Sequence, residues 1–169
     1  ERIIGEASFE NGLAYKDGKL IVATTGGRSG INWGGALKDI RGAVLTHNHP
    51  DGTTFSRDDI LSTVRLCGVK EFRAVANNVH GTNASNDKAT YVVAPPKDSI
   101  FWKTPPKQIQ RDHENFRETA LERITEKTGK DWSQHNGPIP MQVMRYIIDA
   151  SMEMMNAKYN LGYRVITNI

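Results

Sequence analysis

The sequence predicts an α/β fold followed by a helical C-terminal extension, and three observations predict it. Four short apolar runs of strand length fall within residues 1–95: Leu20-Ile21-Val22-Ala23, Gly42-Ala43-Val44-Leu45-Thr46, Glu71-Phe72-Arg73-Ala74-Val75-Ala76 and Thr90-Tyr91-Val92-Val93-Ala94. A stripe at helical spacing, Ile60, Leu61, Val64 and Cys67, lies between the second run and the third. From Pro95-Pro96 onward, apolar residues recur at spacings of three and four instead. Residues 1–95 therefore form one predicted domain, and residues 96–169 a mainly helical extension whose role the sequence leaves open.

Each element has a local cause. Ile3-Ile4 and Leu20 to Ala23 are apolar patches, and Lys16-Asp17-Gly18-Lys19 between them carries the Asp-Gly pair that favours a tight hairpin turn. Gly26-Gly27-Arg28-Ser29-Gly30 lacks both the Gly-Lys-Ser/Thr ending of a phosphate loop and a GxGxxG spacing, so it is expected to be a mobile loop beside a site. Trp33 is expected to anchor the core. The polar stretch from Asn77 to Lys88 joins the last two strands as a long hairpin loop, with His80 at the surface. Pro95-Pro96 and Pro105-Pro106 bracket a stiff connector. Beyond it, Ile109, His113, Phe116, Ala120 and Ile124 form one helical face that Gly129 ends. Pro138 and Pro140 open a second helix, on which Met141, Met144, Ile147, Ile148, Ser151 and Met155 share a face. Leu161 to Ile166 is a short strand.

Composition sets outer limits. The chain has 169 residues, 38% of them hydrophobic and 24% charged, as in an ordinary water-exposed domain. No apolar run approaches the roughly 18 residues that span a bilayer. With 22 basic and 19 acidic residues the net charge is +3, which permits contact with nucleic acid without demanding it. The single Cys67 excludes an intramolecular disulfide and is expected to be a buried small hydrophobe, in keeping with a reducing, cytoplasmic setting. Beginning at Glu1 rather than Met, the chain is expected to be a piece of a longer protein or assembly.

The chemistry is concentrated in thirteen residues. His47-Asn48-His49-Pro50 follows an apolar strand directly, and Ser56-Arg57-Asp58-Asp59 follows at close range. Residues two apart on a strand point to the same face, so His47 and His49 project in parallel from positions roughly 6–7 Å apart, a spacing that suits two nitrogens on one metal ion. A catalytic zinc takes three protein ligands and keeps one position for water. Asp59 is the natural third ligand and Asp58 the fallback. Ser56, three residues before Asp59, also suits a helix N-cap, and the two roles are compatible because the hydroxyl can serve the backbone while the carboxylate points back at the strand.

The stretch "LTHNHPDGTTFSRDDI" resembles the motif of the JAMM (JAB or MPN) metalloproteases, especially their RadC-type and phage-associated bacterial branches. That resemblance implies a cytidine-deaminase-like mixed sheet flanked by helices. It implies zinc bound by His47, His49 and Asp59, with Ser56 assisting the tetrahedral intermediate and an upstream glutamate as general acid/base. This chain has six residues between the second histidine and the serine, where the family usually has seven. Two glutamates lie upstream. Glu6 adjoins an apolar patch and is preferred as the base. Glu10 adjoins Asn11-Gly12, which looks like a turn, and is the alternative.

The reaction implied is hydrolysis of a peptide, isopeptide or related amide bond by a metal-activated water, with a peptide or protein as substrate. Two other readings stand beside it. One is a non-catalytic interaction module of the same fold. The other is a nucleic-acid-associated protein akin to the RadC type, not favoured because no interleaved basic and aromatic surface is evident.

Overall fold

In the computed structural model, residues 9–27, 30–77, 88–134 and 137–168 are described. Six strands form one sheet: β1 (Asn11–Lys16), β2 (Lys19–Thr25), β3 (Val44–His49), β4 (Glu71–Asn77), β5 (Lys88–Val93) and β6 (Arg164–Asn168). Their spatial order is β2-β1-β3-β4-β5-β6. Only the β3–β4 pairing is parallel, so the sheet is mixed. Asp17 and Gly18 turn β1 into β2 with φ of 52° and 76°, a left-handed pair that Asp and Gly tolerate best.

A parallel pairing needs a crossover, and the segment after Asp59 supplies it. The sequence predicts an ordinary helix there; the structure has a π-helix over Asp59–Leu66, with Ile60, Thr63 and Val64 buried. Apolar spacings of three and four fit both kinds of helix, so periodicity could not tell them apart. Cys67 is buried as expected, its thiol donating to the Ser62 carbonyl at 3.1 Å.

The proline-bracketed connector contains a one-turn helix, α1 (Ile100–Lys103), capped by Ser99, whose hydroxyl oxygen accepts from the Phe101 N–H. Helix α2 (Pro106–Thr128) starts with proline in its first position and ends at Gly129, where φ is 65°. Helix α3 (Met141–Tyr159) follows Pro140 and ends at Asn160. Met141, expected on the buried face, is 46% exposed, because the buried stripe begins only at Ile147 and continues through Ser151, Met152, Met155 and Tyr159. The final strand starts three residues later than Leu161 to Ile166 suggests: Leu161 is a core residue, and pairing with β5 begins at Arg164.

One hydrophobic cluster joins both parts of the chain. Leu45, Phe55, Ile60 and Phe72 from the first 95 residues pack in it with Phe101, Ile109, Met152, Met155, Tyr159 and Leu161 from the remainder. The extension also supplies the sheet's last strand. At the α2–α3 joint the buried Asp112 accepts from the Tyr159 hydroxyl, from Gln108 at 3.0 Å and from Lys158 at 2.7 Å, which holds its carboxyl below the usual range against the effect of burial. No helix among the described residues is long and apolar enough to cross a membrane.

Candidate metal centre

Strand β3 runs through the middle of the sheet and ends on His49; His47 is paired with Gly12 of β1 and Ala74 of β4, and His49 with Ala76 of β4. Period-two alternation puts their rings on one face, where the centroids are 4.4 Å apart. Phe72 of β4 stacks on His47 at 4.5 Å with the planes within 12° of parallel, fixing that ring.

The tautomer of each ring follows from its neighbours. Nδ1 of His47 lies 3.0 Å from the Arg73 carbonyl oxygen, and Nδ1 of His49 lies 3.1 Å from that of Thr53. A carbonyl only accepts, so both Nδ1 atoms carry hydrogen, and both Nε2 lone pairs turn inward. Those two Nε2 atoms are 2.6 Å apart in a buried setting. Two lone pairs at that separation repel unless a cation lies against them. In the metal-free chain that cation is a proton. Burial and the charge of His49 push His47 down to about 4. Burial also opposes charge on His49, but hydrogen bonding and attraction from Asp59, with Glu10 and Asp51 behind it, lift His49 to about 9.

Asp59 completes the pair. Its Oδ1 is 3.6 Å from His47 Nε2 and its Oδ2 3.5 Å from His49 Nε2. Burial works to raise its pKa, yet the two imidazoles and Ser56 outweigh that and hold it well below the usual carboxylate range. Ser56 and Asp59 also form a reciprocal helix start. The Asp59 N–H donates to Ser56 Oγ at 3.1 Å, while Asp59 Oδ2 accepts from the Ser56 N–H at 2.8 Å and from its hydroxyl at 2.7 Å. The single hydroxyl hydrogen of Ser56 is thus directed at Asp59. Asp58 is exposed and pairs with Arg57 at 3.2 Å, away from the histidines.

Of the two glutamates, Glu6 lies outside the described residues. Glu10 is 7% exposed, and together with His47 and His49 it offers ligand atoms all within 4.8 Å of one another. Asn11-Gly12 is not a turn: it opens β1, facing Thr25 and Thr24 on one side, with Gly12 opposite His47 on the other. Glycine is required there because a Cβ would approach Trp33 to 2.6 Å. Trp33 is buried in the core, and the Gly26-Gly27 end of the glycine-rich loop continues the ladder, with the Glu10 N–H donating to Gly27 at 2.9 Å and the Gly26 N–H to Glu10 at 2.7 Å. Burial raises the Glu10 carboxyl to about 7, against the pull of His49 and with help from Asp59 and Asp51.

Asn48, between the two histidines, has a role that the sequence does not signal. Fully buried, it accepts from the Asn11 N–H at 2.6 Å and donates to the Phe9 carbonyl at 3.0 Å, gripping the backbone on both sides of Glu10. The loop after His49 is braced as well. Gly52 closes a turn onto the His49 carbonyl, Thr53 bonds Asp51, and Arg145 of α3 donates to the Asp51 carbonyl at 2.6 Å.

The group opens on a cavity of about 640 Å³ whose lining includes Glu10, His49, Ser56, Asp59, Thr54 and Ile148. Two inward lone pairs, one ionised carboxylate and a second carboxylate poised near neutrality are donor types suited to one divalent cation; to share a tetrahedral zinc the two Nε2 atoms would part from 2.6 Å to about 3.3 Å. Compared with protein-family models, curated proteins and solved structures, the chain matches none. The residues themselves therefore carry the functional argument.

Proposed function

We propose that this chain is a zinc-dependent hydrolase of JAMM type that cleaves a peptide, isopeptide or related amide bond. The observation that carries it is the facing pair of His47 and His49 Nε2 atoms, each turned inward by a carbonyl behind its ring and flanked by Asp59. Those three residues would hold the ion. Bound there, zinc would supply an acidified water and a Lewis acid for the scissile carbonyl.

The remaining work belongs to the chain's own side chains. Glu10, rather than the Glu6 preferred from sequence, is the general acid/base: its buried carboxylate lies beside the histidine nitrogens, placed to take a proton from the attacking water and return it to the leaving nitrogen. Asn48 holds the Glu10 backbone in register with the histidines. Ser56, expected to donate to the developing negative oxygen, instead orients Asp59 through its hydroxyl. Substrate enters by the cavity of about 640 Å³ that Glu10, His49 and Asp59 line.

The test is hydrolysis of a panel of peptides and isopeptide-linked conjugates by the full chain. Activity lost on chelation and restored by zinc supports the reading. A zinc-loaded chain inert toward the whole panel points to the non-catalytic module instead.

A further inference from the structure

A second pocket of about 290 Å³ adjoins the metal cavity, sharing Ser56 and Asp58 with it, and is otherwise lined by Arg57, His113, Glu114 and Arg117. His113 and Arg117 are four residues apart on α2 and so project from one face of the helix. His113 is only 5% exposed. Among the described residues its ring makes no hydrogen bond, and it lines this pocket. A ring nitrogen left to water at the pocket can instead serve the oxygen of a bound anion.

The charges around it are unequally matched. Arg57 pairs with Asp58 at 3.2 Å and Glu114 at 3.5 Å, which occupies both acids. Among the described residues Arg117 has no carboxylate within ion-pair distance, and its guanidinium contacts only the Met144 sulfur at 3.9 Å. Burial, then the arginine charges, push His113 down to about 4 despite Glu114 and Asp58, so the ring sits in a net positive potential.

We propose that Arg57, His113 and Arg117 form an anion subsite that takes a carboxylate or phosphate group of the molecule bound at the neighbouring metal cavity. A neutral imidazole N–H and the guanidinium of Arg117 would each donate to its oxygens, and Arg57 would reach the anion by exchanging its pairing with Asp58 or Glu114 for it. The subsite stands on its own residues. Only its link to substrate rests on the hydrolase reading.

The experiment uses the full zinc-loaded chain titrated with inorganic phosphate and, separately, with acetate, following the His113 ring signals by NMR in wild type and in Arg117→Gln. Arg117 is exposed, so its replacement leaves the core intact. The expected result is a saturable movement of the His113 signals, weakened about tenfold in Arg117→Gln, as loss of one charge-assisted contact implies. The anion that binds more tightly identifies phosphate or carboxylate as the group. Movement confined to the His47 and His49 signals, no saturable movement with either anion, or equal affinity in the variant overturns the proposal. Anion binding without amide hydrolysis would leave the subsite standing and remove the hydrolase reading; hydrolysis without anion binding would do the reverse.

Discussion

Glu10→Gln separates chemistry from stability, because the two should move in opposite directions. The substitution keeps the size of the side chain and removes its ability to carry a proton. Turnover should fall by the 10²–10⁴-fold typical of a positioned acid/base, while zinc remains bound by His47, His49 and Asp59. In metal-free protein the stability effect follows from burial. The Glu10 carboxyl titrates near 7 in the folded chain against 4.5 when unperturbed. A raised carboxyl pKa costs nothing below pH 4.5 and destabilises the fold progressively as pH rises through 7. By pH 8 the gap corresponds to about 3 kcal/mol. Metal-free Glu10→Gln should therefore match wild type in acid and exceed it by about 2–3 kcal/mol at pH 8. Urea unfolding in chelator at pH 5 and pH 8, with hydrolysis assayed separately at neutral pH in zinc, reads both. Retained turnover would remove Glu10 as the base, and loss of zinc would make it a ligand. A stability difference that is the same at both pH values would refute the burial argument.

Two further substitutions probe the residues that hold the site. Ser56→Ala removes one side-chain bond to the Asp59 carboxylate and the acceptor for its N–H; stability should drop by about 1 kcal/mol in thermal unfolding, and zinc affinity by about 10–100-fold in a competitive chelator titration. If affinity is unchanged, Ser56 does not orient the ligand. Asn48→Ala leaves the Asn11 N–H and Phe9 carbonyl without their buried partner, at a cost of about 1–3 kcal/mol. Its kcat should fall more than its zinc affinity, because Glu10 is displaced while the histidines stay on β3; the opposite pattern would show that Asn48 acts on the ligands.

The cluster of His47, His49, Ser56 and Asp59 was legible because it is local: a strand end, a short loop and a helix start bring those side chains together with little help from the rest of the chain. Glu10 was harder. Asn11-Gly12 looks like a turn in isolation, which argued for Glu6; the need for glycine at position 12 comes from Trp33, twenty-one residues away in sequence. Asn48 carries no signal beyond lying between two histidines, since its partners Phe9 and Asn11 are fixed only by strand pairing. The α/β character and the two long helices followed from periodicity. Where those helices dock did not, because an amphipathic stripe specifies a buried face and not its neighbour. Met152, Met155 and Tyr159 pack in the same cluster as Phe55 and Phe72, and β6 extends the sheet through pairing with β5 that no local pattern announces.

Metal content is the most direct test. Elemental analysis of the purified full chain, after incubation with zinc and removal of excess, should find about one ion per chain in wild type and almost none in His49→Ala, whose remaining histidine and carboxylates cannot match the paired imidazoles. Equal metal in both, or none in wild type, would mean that the inward-facing nitrogens of His47 and His49 share a proton and nothing more.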